Sequence, residues 1–187
     1  MSKSTVLALV GSLRAESTNQ KLAEAIQVNA PEQVDVIIHD SLGNIPFYNE
    51  DIDVEGQVPA AAAALRAAAS DADALLLVTP EHNGTIPASL KNAIDWLSRP
   101  YGAGALTGKP TAVVGTAYGQ FGGVWAQDET RKAVGIAGAQ VLEGVKLAVP
   151  GSVVRFAELH PKDDAEIVEQ IKDVFDAIAE SSPVAAA

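Results

Sequence analysis

The sequence predicts a doubly wound α/β fold: a parallel sheet with helices packed on both faces. Three observations carry that expectation. Short runs rich in Val, Ile and Leu recur along the chain, helical patterns lie between them, and the first four runs are nearly continuous in apolar residues. Strands buried on both faces of a parallel sheet have that appearance, whereas half-exposed strands alternate. A chain of 187 residues with 48% hydrophobic content suits one domain with its own core. That domain is expected over residues 1–180, with Ser181–Ala187 as a frayed tail.

The first strand candidate is Thr5–Val10, followed by a helical stretch, Thr18–Val28, that carries Leu22, Ala23 and Ile26. Val34–His39 is the second strand candidate. Pro59–Ser70 then reads as an alanine-rich helix, with Pro59 suited to its first turn. Ala74–Thr79 is the third strand, and Ser89–Leu97 is a helix with Leu90, Ala93, Ile94 and Leu97 on one face. Thr111–Gly115 and Gln140–Val149 are the last two strand candidates. The final helix has the clearest 3.6-residue period, in Ile167, Val168, Ile171, Val174, Phe175 and Ile178. It begins after Pro161, where Asp163 and Asp164 are placed to cap it. Five strands alternating with helical stretches, joined by right-handed crossovers, leave two common strand orders. One is the dinucleotide-binding order and the other the flavodoxin-like order 2-1-3-4-5. In both, ligands bind beyond the carboxyl ends of the strands, so the loops after strands one, three and four are the candidate site.

Composition removes several function classes. The chain has no cysteine, which excludes disulfides, thiolate metal sites and cysteine nucleophiles, and only three histidines, which disfavours a metal centre. A formal net charge of −11 argues against nucleic acid as a partner, because a phosphate backbone needs a basic surface. No apolar run is long enough for a membrane span. Met1–Ser4 leads into a strand without signal-peptide architecture, so a soluble, cytoplasmic protein is expected. The acidity itself needs no partner beyond solubility. It does require that any phosphorylated ligand be held by a local group, against the field of the whole chain.

The loop after strand one runs Gly11-Ser12-Leu13-Arg14-Ala15-Glu16-Ser17-Thr18-Asn19. It lacks the three glycines of a dinucleotide fingerprint. Instead the hydroxyls of Ser12, Ser17 and Thr18 and the guanidinium of Arg14 lead into a helix N-terminus, where free N–H groups favour anions. This reads as a monophosphate site. The plainer alternative is an ordinary cap by Ser17 or Thr18 with Arg14 solvated. Lys109 after Gly104 and Gly108 suggests a Walker loop but fails it: Ala103 stands where the first glycine belongs and Pro110 where Ser or Thr must be. After strand three, Thr79-Pro80-Glu81-His82-Asn83-Gly84-Thr85-Ile86-Pro87-Ala88-Ser89 has its shape fixed by two prolines and a glycine. It can offer its backbone to a planar ring or be simply a stiff βα connection. Glu81 and His82 are unsuited to act as an acid–base pair, since sequence neighbours rarely face each other and no third group orients them. After strand four, Thr116-Ala117-Tyr118-Gly119-Gln120-Phe121-Gly122-Gly123 combines three glycines with two aromatics. Such a loop suits the edge of a flat ligand, or a plain surface turn.

These loops together resemble the NAD(P)H-dependent FMN reductases of flavodoxin fold, whose members include quinone, chromate and azo-dye reductases. Gly11-Ser12-Leu13-Arg14 with Ser17 and Asn19 is similar to that family's phosphate loop. Thr79-Pro80-Glu81-His82-Asn83-Gly84, continuing through Leu90-Lys91-Asn92-Ala93-Ile94-Asp95-Trp96, resembles its most specific signature. Pro46-Phe47-Tyr48-Asn49-Glu50-Asp51 resembles the loop bordering the site. The resemblance covers about Val6 to Gln140. It implies a five-stranded sheet of order 2-1-3-4-5 and bound FMN, with Ser12, Arg14, Ser17, Thr18 and Asn19 around the phosphate. Pro80, Glu81, His82, Asn83 and Gly84 are then expected at the ring's polar edge, with Thr116, Tyr118 and Gly119 nearby. His82 stands where the family usually has a tyrosine, and Ala117 makes the loop after strand four smaller than usual.

The resemblance also implies the chemistry. NADPH or NADH gives hydride to flavin N5, and a quinone, free flavin, azo compound or metal oxyanion then takes the electrons in a ping-pong sequence. The cofactor carries that chemistry, so no catalytic side chain is expected. The alternative is a flavodoxin-type electron carrier without NAD(P)H activity, against which the charged Arg14 speaks. A homodimer or homotetramer is implied, with the flavin near a subunit interface. Trp96 falls off the apolar stripe of its helix, and with Tyr101 and Trp125 it is expected to line that interface.

Overall fold

The computed structural model describes residues 3–181. The expected tail therefore lies outside the described residues, except Ser181, which closes the last helix. The strands are β1 (Ser4–Val10), β2 (Val34–Ile38), β3 (Ala74–Thr79), β4 (Pro110–Thr116), β5 (Gln140–Val141) and β6 (Ala148–Val149). The helices are α1 (Thr18–Val28), α2 (Ala60–Asp71), α3 (Ala88–Leu97), α4 (Val124–Ile136), α5 (Ser152–Glu158) and α6 (Ala165–Ser181). All strand pairs are parallel, in the order β2-β1-β3-β4-β5, with β6 also pairing β4. This is the flavodoxin-like order.

β1, β3 and β4 are covered on both faces, as their continuous apolar runs require. β2, expected to be the same, is instead an edge strand with Asp35 and Ile37 exposed. Every residue of β3 and β4 is buried. Successive side chains enter opposite cores. Val6, Ala8, Val10, Leu76 and Val78 pack with α1 and α6. Leu7, Leu9, Leu75, Leu77 and Val113 pack with α2 and α3. On α6, Asp164 caps the helix by accepting from the N–H groups of Glu166 (3.1 Å) and Ile167 (3.3 Å). The Arg155 guanidinium beside Asp164 holds its carboxyl below the usual carboxylate range. Lys109, read as part of a plain connection, donates to the Ser70 and Ala72 carbonyls at the end of α2. No helix among the described residues is long and apolar enough to cross a membrane.

Two expectations need correction. Gln140–Val149 is not one strand. It pairs with Pro110 and Thr111, leaves the sheet, and returns as β6 beside Gly115 and Thr116. The buried Arg131 guanidinium from α4 occupies the gap, donating to the carbonyls of Val113 (3.1 Å) and Val145 (2.9 Å). Those carbonyls take a side-chain donor where a regular ladder would supply backbone N–H groups.

Trp96, expected at an interface, is fully buried within the chain. Its indole N–H donates to Pro46 O at 2.8 Å, and its ring meets Tyr48 edge-on with centroids 5.0 Å apart. The Arg66 guanidinium lies 5.1 Å from its centroid and pairs with Asp53. The face of α3 that looks off-stripe packs against the Pro46–Tyr48 segment, which a helix-only reading omits. Tyr101 and Trp125 are exposed.

Candidate functional site

The loops after β1, β3 and β4 converge at the carboxyl edge of the sheet, and a small set of polar groups locks them together. Gly11 leaves β1 so close to the next loop that a Cβ there would sit 2.9 Å from Pro87 Cγ and 3.1 Å from Pro80 Cδ, so a side chain is excluded. Ser89 Oγ donates to Gly11 O at 2.7 Å and ties the start of α3 to the same point. Asn19, in the first turn of α1, is buried and reaches β4. Its amide donates to Thr116 O at 3.1 Å and accepts from Thr116 N at 3.0 Å. Thr18 Oγ1 lies 3.1 Å from Thr116 Oγ1 and 3.3 Å from Ser152 Oγ of α5.

Ser17 is the N-cap of α1, accepting from Gln20 N at 3.1 Å, and is itself buried. Part of the plainer reading of this loop therefore holds: Ser17 caps, and Asn19 and Thr18 build. The remaining groups face outward. Among the described residues Arg14 has no ion pair or side-chain hydrogen bond, and neither Ser12 nor the backbone amides of Thr18 and Asn19 have a partner. The first turn of α1 carries no acidic residue. A polar pocket of about 370 Å³ opens here, lined by Ser12, Leu13, Arg14 and Gln20 against His39, Asp40 and Ser41. An unpaired guanidinium, a hydroxyl and two free amides at a helix N-terminus fit a phosphate group in both charge and donor count.

The loop after β3 is shaped by its backbone. His82 and Thr85 exchange two N–H···O bonds, each 3.2 Å, around Asn83 (φ 54°) and Gly84 (φ 74°). An Asn-Gly pair with two positive φ angles is the tight hairpin connection these residues favour. Pro80 is buried and the His82 side chain is exposed. Glu81 turns away from His82: its Oε2 accepts from the backbone N–H groups of Trp125 (3.1 Å) and Ala126 (3.2 Å), at the start of α4. No acid–base pair forms. In the loop after β4, Thr116 is buried while Tyr118 and Gly119 are exposed. Tyr118, Phe121 and Trp125 leave an aromatic rim, the last two with centroids 5.6 Å apart. A second, larger groove of about 590 Å³ starts at Thr85 and Ile86 and runs between α3 and α4, past Lys91, Asp95, Glu129 and Lys132.

The sequence reading did not identify Ser89, Ser152 or the reach of Glu81. The hydroxyls of Ser89 and Ser152 gave no signal, because their partners lie 78 and 134 residues away. Glu81 gave no signal either, because the helix it caps, α4, is itself not legible in the sequence.

Comparison with known proteins adds to this geometry. The family model for NADPH-dependent FMN reductases matches residues 4–153. A quinone reductase from Pseudomonas putida is 45% identical over 130 residues, covering 70% of this chain and 69% of that protein. An NAD(P)H-dependent FMN reductase from Pseudomonas aeruginosa is 36% identical over 174 residues, 92% of this chain and 81% of that protein. The solved structure of FerB, a flavoenzyme NAD(P)H:(acceptor) oxidoreductase from Paracoccus denitrificans, superposes with a TM-score of 0.80 at 28% identity. It covers 96% of this chain and 99% of its own.

Proposed function

The chain belongs to the NADPH-dependent FMN reductase family, and from that membership we propose that it is a single-domain oxidoreductase passing electrons from NAD(P)H to a small oxidant of the quinone class. FMN, when bound, supplies the chemistry of accepting and releasing hydride. The chain's part is to bind, orient and exclude. Arg14, Ser12 and the amides of Thr18 and Asn19 hold the phosphate, and the free Arg14 in a chain of net charge −11 is the observation that carries the reading. Ser17, with its hydroxyl hydrogen still free to donate, closes the same cradle.

The backbone from Pro80 through Glu81, His82 and Asn83 to Gly84 borders the ring's polar edge, with Thr116, Tyr118 and Gly119 across from it. The exposed aromatics of the rim favour a planar oxidant, in keeping with the quinone reductase name of the Pseudomonas putida relative. The groove between α3 and α4, with exposed Ile136 beside it and charges of both signs, supports packing against a second copy as a homodimer or homotetramer.

The test begins with the absorption spectrum of the purified protein and NADPH consumption with a quinone. Donor and acceptor that use one flavin face in turn give parallel initial-rate lines. A flavin-loaded protein that leaves NADPH unoxidised would instead be an electron carrier, and intersecting lines would reject the shared face. Light scattering gives the assembly, with a mass of 19.3 kDa arguing for a monomer.

A further inference from the structure

Glu81 carries a contact that its place in a ligand loop does not explain. Helix α4 starts at Val124, and its N-cap residue Gly123 has φ 82° and no capping side chain. The first N–H groups of a helix need acceptors. Here the acceptor comes from 44 and 45 residues earlier: Glu81 Oε2 takes both Trp125 N and Ala126 N. Its negative charge also lies at the positive end of the helix. A Cβ placed on Gly123 would lie in ordinary packing contact with Glu81 Cβ, at 3.6 Å, so the two loops are neighbours here. One carboxylate oxygen therefore joins the loop after β3 to the loop after β4. Trp125, the second residue of α4, rests over the tight turn, 3.8 Å from where Gly84 would carry a Cβ.

We propose that Glu81 is a positioning residue: by capping α4 from the loop after β3, it sets the separation of the two loops at the ring edge and the placement of the Trp125–Phe121 pair. The inference rests on the reading of these loops as the edge of a flavin site. It assigns Glu81 to reach, where a carboxylate beside a flavin would otherwise be assigned to charge.

Two substitutions separate reach from charge. Glu81→Gln keeps the length and an acceptor oxygen but removes the charge. Glu81→Asp keeps the charge but falls one methylene short of α4. In the FMN-free proteins, amide exchange at Trp125 and Ala126 should accelerate in Glu81→Asp and stay near the parent in Glu81→Gln. FMN dissociation constants should follow the same order, rising about five- to tenfold in Glu81→Asp, as loss of a helix cap on a ligand loop predicts. Combined with Arg14→Ala the two effects should multiply, because one acts at the ring edge and the other at the phosphate.

The reverse order, with Glu81→Asp like the parent and Glu81→Gln impaired, would overturn the proposal in favour of charge. Unchanged FMN affinity in Glu81→Asp with accelerated exchange would overturn it too, leaving a cap without a role in the site. A parent protein that binds no FMN would overturn the functional reading as well. Melting curves accompany each variant, and Glu81→Gln keeps the comparison readable if Glu81→Asp folds poorly.

Discussion

The proposed phosphate side and the proposed ring-edge side of the site are built on different plans. After β1, side chains do the building: Asn19, Thr18 and Ser17 bind strand, neighbour and helix, and Arg14 and Ser12 are left for a ligand. After β3 and β4, backbone conformation does it, through Asn83, Gly84 and Gly123, with Glu81 as the one long tether. Residues that sit together in a motif thus divide into those that make the site and those that meet the ligand. Mutation can tell the two apart, because the first kind costs stability without ligand and the second does not.

The largest contrast is expected between Asn19 and Arg14. Asn19→Ala strands a buried N–H and a buried C=O of Thr116. Each costs about 1–3 kcal/mol, so urea unfolding of the FMN-free protein should show a loss of about 2–6 kcal/mol. Arg14→Ala, at an exposed position, should leave that stability within about 0.5 kcal/mol. It should instead weaken FMN binding roughly ten- to a hundredfold, as loss of about 1.5–3 kcal/mol from a charged hydrogen bond implies. A variant that holds FMN as tightly as the parent would move the phosphate elsewhere.

Thr18 sharpens the division, since it lies on the boundary. Thr18→Val keeps the shape but removes the hydroxyl between Thr116 and Ser152. A loss near 1 kcal/mol in FMN-free stability is expected from the hydrogen bonds alone. Isothermal titration with FMN then separates the roles. An affinity loss well beyond fivefold, with the stability loss as stated, would put the hydroxyl on the phosphate and out of the building set.

The legible parts of this molecule are those where burial and residue type agree. β1, β3 and β4 are apolar because both faces are covered, and α6 repeats its apolar residues at the helical period because only one of its faces is. α4 is hidden by the opposite circumstance. It buries Gln127, Thr130 and Arg131, so its inner face reads as polar. The same Arg131 splits the fifth strand, and a guanidinium arriving from a helix is invisible in the run it interrupts. Trp96 was misplaced because its partners, Pro46 and Tyr48, belong to an irregular segment with no period. In the site, some local features were legible: a cap by Ser17 or Thr18, and a loop after β3 stiffened by its prolines and Gly84. The cross-chain bonds of Asn19 and Glu81 depend on which loops the topology brings together, and a motif read along the chain does not contain that.

The smallest expected effect concerns acid, and it again falls on the building set. Arg155 hydrogen-bonds Asp164 and holds its carboxyl low, and Arg66 does the same for Asp53. A carboxyl whose folded pKa lies below its unfolded value contributes stability above the unfolded value and loses it as pH falls through the folded one. With ordinary values of 3.8 for both groups, the loss begins near there and continues toward lower pH. Both pairs are partly open to solvent, so each should contribute no more than about 1 kcal/mol. Arg155 lies on α5, the helix whose Ser152 touches Thr18, so the proposed phosphate side is anchored partly through this pair. Asp164→Asn should flatten the decline of FMN-free stability between pH 5 and pH 3 relative to the parent, while lowering stability at pH 7. A parental curve and a variant curve that run parallel through that window would show that the Asp164 carboxyl has no depressed pKa in the folded chain, and α5 would then need another anchor.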